Sequence, residues 1–133
     1  MLETLHLIIA DAKYGNHRFL GPLRDEPCGV LARMRRDRVL YGAPPPYSGQ
    51  GRPRVHGDRF AFKDPDTWGE PGVTVELDGG ERWGQVRLRR WDHKHARQDA
   101  YTWFSVILVE AHREREKPSA PFWIGYLPPP HQE

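Results

Sequence analysis

A carboxylate directly after a short apolar run is the feature of this sequence most typical of a chemical site. Asp11 follows the apolar run Leu7–Ala10 and precedes Tyr14 and Gly15. Open α/β sheets place functional groups just beyond the carboxyl ends of their strands. Asp11 could equally cap the turn that follows it, and topology alone favours this structural role. The pattern therefore makes Asp11 a candidate site residue and leaves both roles open.

The elements around Asp11 predict a strand–helix–strand unit that resembles a βαβ unit. The segment Leu5–Ala10 predicts a buried strand, and Gly29–Met34 predicts a second strand. Between them Asn16 can cap the N-terminus of a short helix that Pro27 ends. We expect the two strands to run parallel, because a helix connects them.

The sequence from residue 42 onwards predicts a loop followed by short strands. Residues 42–58 contain four prolines and four glycines and predict an extended loop. Asp78–Gly80 is a hairpin signal. The segment Thr102–Glu110 is apolar on both faces, which is typical of a central strand. The predicted strands are Arg59–Lys63, Val73–Leu77, Gln85–Trp91, Thr102–Glu110 and Phe122–Leu127.

The charges fall in blocks although the formal net charge is only +2. Residues 33–63 carry eight Lys/Arg and two acids, residues 64–81 carry six acids and no base, and residues 82–97 carry six bases and one acid. The planar guanidinium of arginine can donate two hydrogen bonds to one phosphate, so the basic blocks are typical of a nucleic-acid-binding surface. An ordinary solvated surface explains them equally well. The candidate DNA contacts are Arg52 and Arg54 in the loop, and Arg87 and Arg89 on one strand face.

The histidines and tryptophans of the chain are more typical of structural roles than of a metal or binding site. His93 and His95 could ligate a metal from one strand face, but no third ligand is near in sequence, so we predict a solvent-facing pair. Trp83, Trp91 and Trp103 could stack on bases, whereas packing in or over the sheet is the commoner role.

Composition excludes several protein classes. Thirteen glycines and thirteen prolines argue against a helix bundle. A single cysteine, Cys28, excludes a disulfide framework and a multi-cysteine zinc site. No apolar run approaches the ~18 residues of a spanning helix, and no secretory signal is present. We therefore expect a soluble, cytoplasmic protein with no membrane partner.

The segment Asp11-Ala-Lys-Tyr14-Gly15, with the helical Phe19 and Leu20 that follow, is similar to the second-aspartate motif of DDE transposases. The likeness is to bacterial insertion-sequence elements that carry a β-rich insertion. Gly51–Arg54 also resembles the core of hooks that bind the DNA minor groove. Further segments fit in the same order along nearly the whole chain: Arg36–Tyr41, Pro44–Gly49, Gly51–Arg54, His56–Arg59, Phe62–Pro65, Thr67–Gly69, Trp83–Gly84, Val86–Trp91 and Phe104–Val106.

The resemblance implies an α/β fold, α+β within this chain: part of a ribonuclease-H-like catalytic core plus a β-rich insertion. It implies a partial core at 1–41, a basic loop at 42–58, the insertion at 59–127 and a tail at 128–133. It also implies cleavage and joining of DNA by Mg²⁺ or Mn²⁺, with Asp11 the second of three carboxylate ligands. The cellular site implied is the nucleoid.

The other two carboxylates of such a site have no matching context. Ten residues precede Asp11, and they form its own strand. Glu133 has the spacing from Tyr126 expected of the third ligand, but Pro128–Pro130 exclude the helix that should carry it. We therefore expect an internal fragment that is inactive alone and that self-associates through unpaired strands. The alternatives are a non-enzymatic, basic, β-rich nucleic-acid-binding module and a decayed reading frame.

Overall fold

Two parallel strands joined by a short helix form one end of the sheet. The structure is a computed structural model that describes residues 6–117 and 120–130. Strand β1 (Leu7–Ala10) pairs in parallel with β2 (Gly29–Met34), so that their carboxyl ends lie at the same edge. Leu5, which belongs to the predicted strand, lies outside the described residues. The parallel strand–helix–strand unit predicted from the sequence is confirmed.

Helix α1 (His17–Leu23) is held at its start by the predicted cap. The Asn16 Oδ1 accepts the backbone N–H groups of Arg18 and Phe19 at 3.0 and 3.2 Å. The Phe19 N–H also donates to the Asn16 carbonyl at 3.2 Å, so the side-chain cap chiefly supplies a partner for the Arg18 N–H. The helix ends four residues before Pro27 and packs against a later strand, β7 (Asp99–His112), rather than over β1.

Six further strands complete the sheet in the described residues. The hairpin predicted at Asp78–Gly80 is present, with a short helical turn α2 (Gly80–Trp83) inside its connection. A 3₁₀ turn at Pro65–Thr67 follows β4 (Arg59–Ala61). The strands are β3 (Val39–Tyr41), β4 (Arg59–Ala61), β5 (Val73–Asp78), β6 (Gln85–Ala96), β7 (Asp99–His112) and β8 (Phe122–Leu127).

The strand order is β1-β2-β8-β7-β6-β3-β4, and β5 lies beside the first half of β6. The last strand, β8, is therefore inserted between β2 and β7 and pairs antiparallel with both. Gly125 of β8 leaves room for Met34, whose thioether occupies the space that a Cβ would need. This mixed, sheet-dominated α/β arrangement confirms the predicted fold class and is consistent with a ribonuclease-H-like type of fold.

The core is an aromatic cluster that forms because the sheet curls. Phe62 follows β4 at one end of the strand order, yet its ring stacks on Trp123 of β8 with centroids 4.1 Å apart. Phe60, Trp68 and Trp91 pack edge-on in the same cluster. Neither helix of the described residues has the length and apolar character needed to cross a membrane.

The prediction that the first strand is buried was wrong. Ile9 is 79% exposed, and Leu7 and Ile8 are also exposed. The reason is that β1 has β2 as its one neighbour in the described residues and that α1 covers β7 instead. By contrast, Thr102–Glu110 lies within the central β7, where every second side chain from Thr102 to Leu108 is buried, as predicted.

Candidate metal-ligand site and nucleic-acid interface

Asp11 is the first residue after β1 and its side chain is exposed. Its Oδ1 accepts the backbone N–H of Lys13 at 2.9 Å, and its carbonyl accepts the N–H of Tyr14 at 3.0 Å. The turn is therefore fixed by one carboxylate oxygen. The other oxygen, Oδ2, has no hydrogen-bond partner among the described residues. Both roles considered from the sequence, the turn cap and the available ligand, fit this geometry.

Gly15 explains why the motif ends in glycine. It is buried, and a Cβ at this position would collide with the backbone carbonyl oxygen of Arg33 in β2. The turn after Asp11 can therefore lie directly on β2 only if residue 15 has no side chain. Tyr14 packs on Phe19 of α1, with ring centroids 5.1 Å apart. The motif thus holds Asp11 at the carboxyl edge of the parallel pair.

Asp11 provides a suitable type of ligand for a divalent cation, but the described residues provide too few ligands to hold one. Carboxylate oxygen is the ligand that Mg²⁺ and Mn²⁺ prefer. In the described part of the chain, however, no three His, Cys, Asp or Glu side chains converge closely enough to hold a metal ion. Glu133 lies outside the described residues, and Tyr126 is in β8. The described residues therefore provide one carboxylate of a site that needs several.

Arg87 and Arg89 are both engaged with carboxylates of neighbouring strands. The Arg87 Nε lies 3.2 Å from Glu76 of β5, and the Arg89 Nη2 lies 2.7 Å from Glu110 of β7. Arg89 is also only about a quarter exposed and packs against Trp68 and Trp91. A phosphate at either position would therefore compete with an existing ion pair.

Arg52 and Arg54 lie in the loop 42–58 and are exposed, with no carboxylate partner in the part of the chain that the structure describes. The base of the loop is closed by two backbone hydrogen bonds, from Gly42 to Asp58 and from Gly57 to Gly42. Within the loop the Tyr47 hydroxyl donates to the Gly51 carbonyl at 2.6 Å. The loop therefore has internal structure and presents its two arginines to solvent.

The prediction that His93 and His95 form a solvent-facing pair was wrong. His95 is fully buried, whereas His93 is exposed. A bulge between Trp91 and Lys94, with His93 at φ 56°, breaks the two-residue alternation that would place both on one face. This bulge could not be predicted from the sequence, because no residue type in the segment is typical of a bulge. His95 instead stacks on His56 of the loop and contacts Trp103.

The three tryptophans singled out from the sequence have different environments. Trp91 is in the core, as its commoner role predicts, and donates its indole N–H to the Gly69 carbonyl. Trp103 is half-buried against His95. Trp83, in the β5–β6 connection, is 53% exposed. Cys28 is half-buried against the core.

Comparison with known proteins decides the family. A family model described as DDE superfamily endonuclease matches residues 2–97, which include the Asp11 turn, the loop 42–58 and β6. The chain belongs to this family. No curated protein and no solved structure matches it. DDE superfamily endonucleases are generally dependent on divalent metal, and such a nuclease acts on DNA.

Proposed function

We propose that this DDE superfamily chain serves DNA strand cleavage and transfer in transposition of an insertion-sequence element, with Asp11 as a ligand for Mg²⁺ or Mn²⁺. A divalent cation at such a site stabilises charge on the attacking and leaving oxygens of a phosphodiester. The observation that carries the proposal is the position of Asp11. It follows β1 at the carboxyl edge of a parallel pair, inside the matched segment, with Oδ2 unpartnered among the described residues.

The same proposal assigns DNA contacts to Arg52, Arg54, Arg87 and Arg89. The loop arginines are exposed and lack ion-pair partners within the described ranges, which favours contact with phosphate or the minor groove. The strand arginines lie side by side on β6 and would exchange Glu76 and Glu110 for phosphate oxygens. Arg52, Arg54 and Arg87 are exposed, and Arg89 is about a quarter exposed.

We also propose that the Asp11 unit at 1–41 belongs to a ribonuclease-H-like core, and that 59–127 is its β-rich insertion, reached through the loop 42–58. The tail is 128–133. The division follows the order of the chain, and the strands on both sides of it belong to one sheet, in which β8 pairs with β2. We propose the nucleoid as the place where the protein acts.

A Mn²⁺ titration followed by NMR tests the role of Asp11. We expect resonances of Asp11 and Tyr14 to broaden first, at about millimolar Mn²⁺, because a single carboxylate leaves the ion mostly hydrated. Asp11→Asn should abolish this broadening. Asp37→Asn is the matched control, since it removes an exposed carboxylate from the neighbouring turn. Broadening confined to Asp64, Asp66 and Glu70 would contradict the proposal and indicate diffuse binding to the acidic block.

A further inference from the structure

The turns that follow β1 and β2 form a groove beside Asp11. Because these strands are parallel, the turn 11–14 and the turn 35–38 lie at the same edge of the sheet. The second turn is closed by a hydrogen bond from the Arg38 N–H to the Arg35 carbonyl at 3.2 Å. The Arg38 carbonyl in turn accepts the N–H of Phe62, which ties this turn to the aromatic core. The groove therefore has a fixed backbone on both sides.

Three adjoining openings make up this groove. The first, of about 660 Å³, contains Asp11 and reaches Phe122 and Trp123 of β8. It shares Lys13 and Arg35 with the second, of about 480 Å³. The second shares Arg38 with the third, of about 490 Å³, which ends at the start of α1 and at Phe104. Asp11 thus lines the first of three openings that adjoin one another through shared side chains.

The lining of this groove is strongly cationic. The described lining contains six cationic side chains and two carboxylates, Asp11 and Asp37. The one ion pair among them is between Arg35 and Asp37, at 3.9 Å. We call these six residues the basic groove: Lys13, Arg18, Arg33, Arg35, Arg36 and Arg38.

Two arginines of the basic groove are held in place by the fold. Arg38 is half-buried, and its Nε is buried with no acceptor in the described chain. The buried Nε leaves the outer N–H groups of the Arg38 guanidinium for a phosphate oxygen, which is a strong acceptor for them. The Arg33 Cζ lies 4.7 Å from the ring centroid of Phe122, so its guanidinium is supported at the other end of the groove. These contacts reduce the side-chain entropy lost on binding an anion.

We propose that the basic groove binds the phosphodiester backbone of the DNA strand that passes Asp11. This inference rests on the proposed function, because it takes DNA as the ligand, and it adds a second DNA-contacting surface to the loop and β6 arginines. Five of the six cations make no ion pair in the described chain, so they are available to the phosphates of a DNA strand. The groove would position the DNA backbone without reading the base sequence, because phosphate contacts carry no direct sequence information.

The test is DNA binding in the presence of EDTA, so that no metal contributes. The whole chain is titrated with a fluorescent DNA oligonucleotide at several salt concentrations, and anisotropy gives the slope of log K against log salt. Lys13→Ala/Arg36→Ala should lower the slope by about two units and Arg38→Gln by about one, since each phosphate contact contributes about 0.9. Lys13 and Arg36 are exposed and make no ion pair in the described chain, so their loss leaves the fold intact.

The matched control is Arg82→Ala/Arg115→Ala. It removes the same net charge from exposed positions in the β5–β6 connection and in the turn after β7, and neither residue lines any of the three openings. An unchanged slope in this control supports the proposal. An equal loss in the control, or the wild-type slope in both groove variants, overturns it, because the cations would then act only through net charge.

Two further arms separate related outcomes. The same variants are titrated with inorganic phosphate by NMR, and a groove that loses phosphate binding while keeping its DNA slope binds free anions only, which overturns the proposal. The Mn²⁺ titration at Asp11 is independent of this assay. If the groove variants lower the salt slope but Mn²⁺ broadens no Asp11 resonance, the groove proposal stands and the metal site is rejected. If Mn²⁺ broadens the Asp11 resonances but the groove variants keep the wild-type slope, the metal site stands and the groove proposal is rejected.

Discussion

The imidazole of His56 stacks on that of His95, with ring centroids 5.0 Å apart and an interplanar angle of 27°. The contact joins the loop 42–58 to β6. His95 Nδ1 lies 2.9 Å from the Ala96 carbonyl oxygen, while His95 Nε2 and His56 Nδ1 are buried without partners in the described residues. Burial, followed by the charges of His95 and Arg97, lowers the pKa of His56.

This stacking predicts that acid destabilises the protein. Because the pKa of His56 is lowered in the folded state, the unfolded chain binds the proton first as the pH falls below 6.5. Stability is therefore complete above that pH and decreases below it, down to the folded pKa. Urea unfolding at about pH 7.5 and about pH 5.5 should show this loss.

His56→Gln should reduce the loss, and His93→Gln, at an exposed position, should not. The pKa of Asp99 is lowered from 3.8, so this carboxyl titrates below the range of the experiment, and burial lowers the pKa of Lys94 from 10.5. Asp99 is stabilised as a carboxylate chiefly by its hydrogen bond from Thr102, against the effect of burial. Equal pH dependence in wild type and His56→Gln would contradict the assignment.

Arg52 and Arg54 should contribute more to non-specific DNA binding than Arg87 and Arg89. Arg52→Ala/Arg54→Ala is expected to lower the log–log salt slope on A·T-rich duplex by about two units. Arg87→Ala/Arg89→Ala should lower it by about one unit, because both arginines must leave carboxylates first. Unchanged slopes in both double variants would show that these arginines only solvate the surface.

The exposed first strand predicts self-association. Apolar edge strands with free N–H and C=O groups pair with other chains. We expect oligomers that grow with concentration in sedimentation velocity, and Ile9→Lys should reduce them because Ile9 is 79% exposed on β1. Val75→Lys places the same charge on the exposed β5 and serves as the control. A monomer at every concentration, or equal effects of the two variants, would refute the role of β1.

The chain by itself should not nick supercoiled plasmid with Mg²⁺ or Mn²⁺. Displacement at a phosphodiester requires metal ions held by several carboxylates, and Asp11 stands without two further ligands among the described residues. Agarose-gel analysis with Asp11→Asn as the control measures this. Nicking that depends on Asp11 would mean that another carboxylate completes the site. Glu110, now paired with Arg89, would be the first to test as Glu110→Gln.

The sequence by itself determined the features that depend on neighbours in the chain. The Asn16 cap, the short helix and the two flanking strands follow from local signals, as does the hairpin after Asp78. Each depends on turn chemistry or alternation within about a dozen residues. The position of Asp11 after β1 belongs to the same class, because strand and turn are adjacent. Residue types and order were sufficient for these features.

Only the tertiary structure decided which distant segments meet. Insertion of β8 between β2 and β7 depends on pairing across most of the chain, and no local pattern encodes it. That pairing and the curl of the sheet leave β1 exposed at one end. The bulge at His93 buries His95, and the register of β6 sets Arg89 opposite a strand that carries Glu110. Burial and charge pairing are properties of contacts between elements, so they become fixed only when the register and the curvature of the sheet are set.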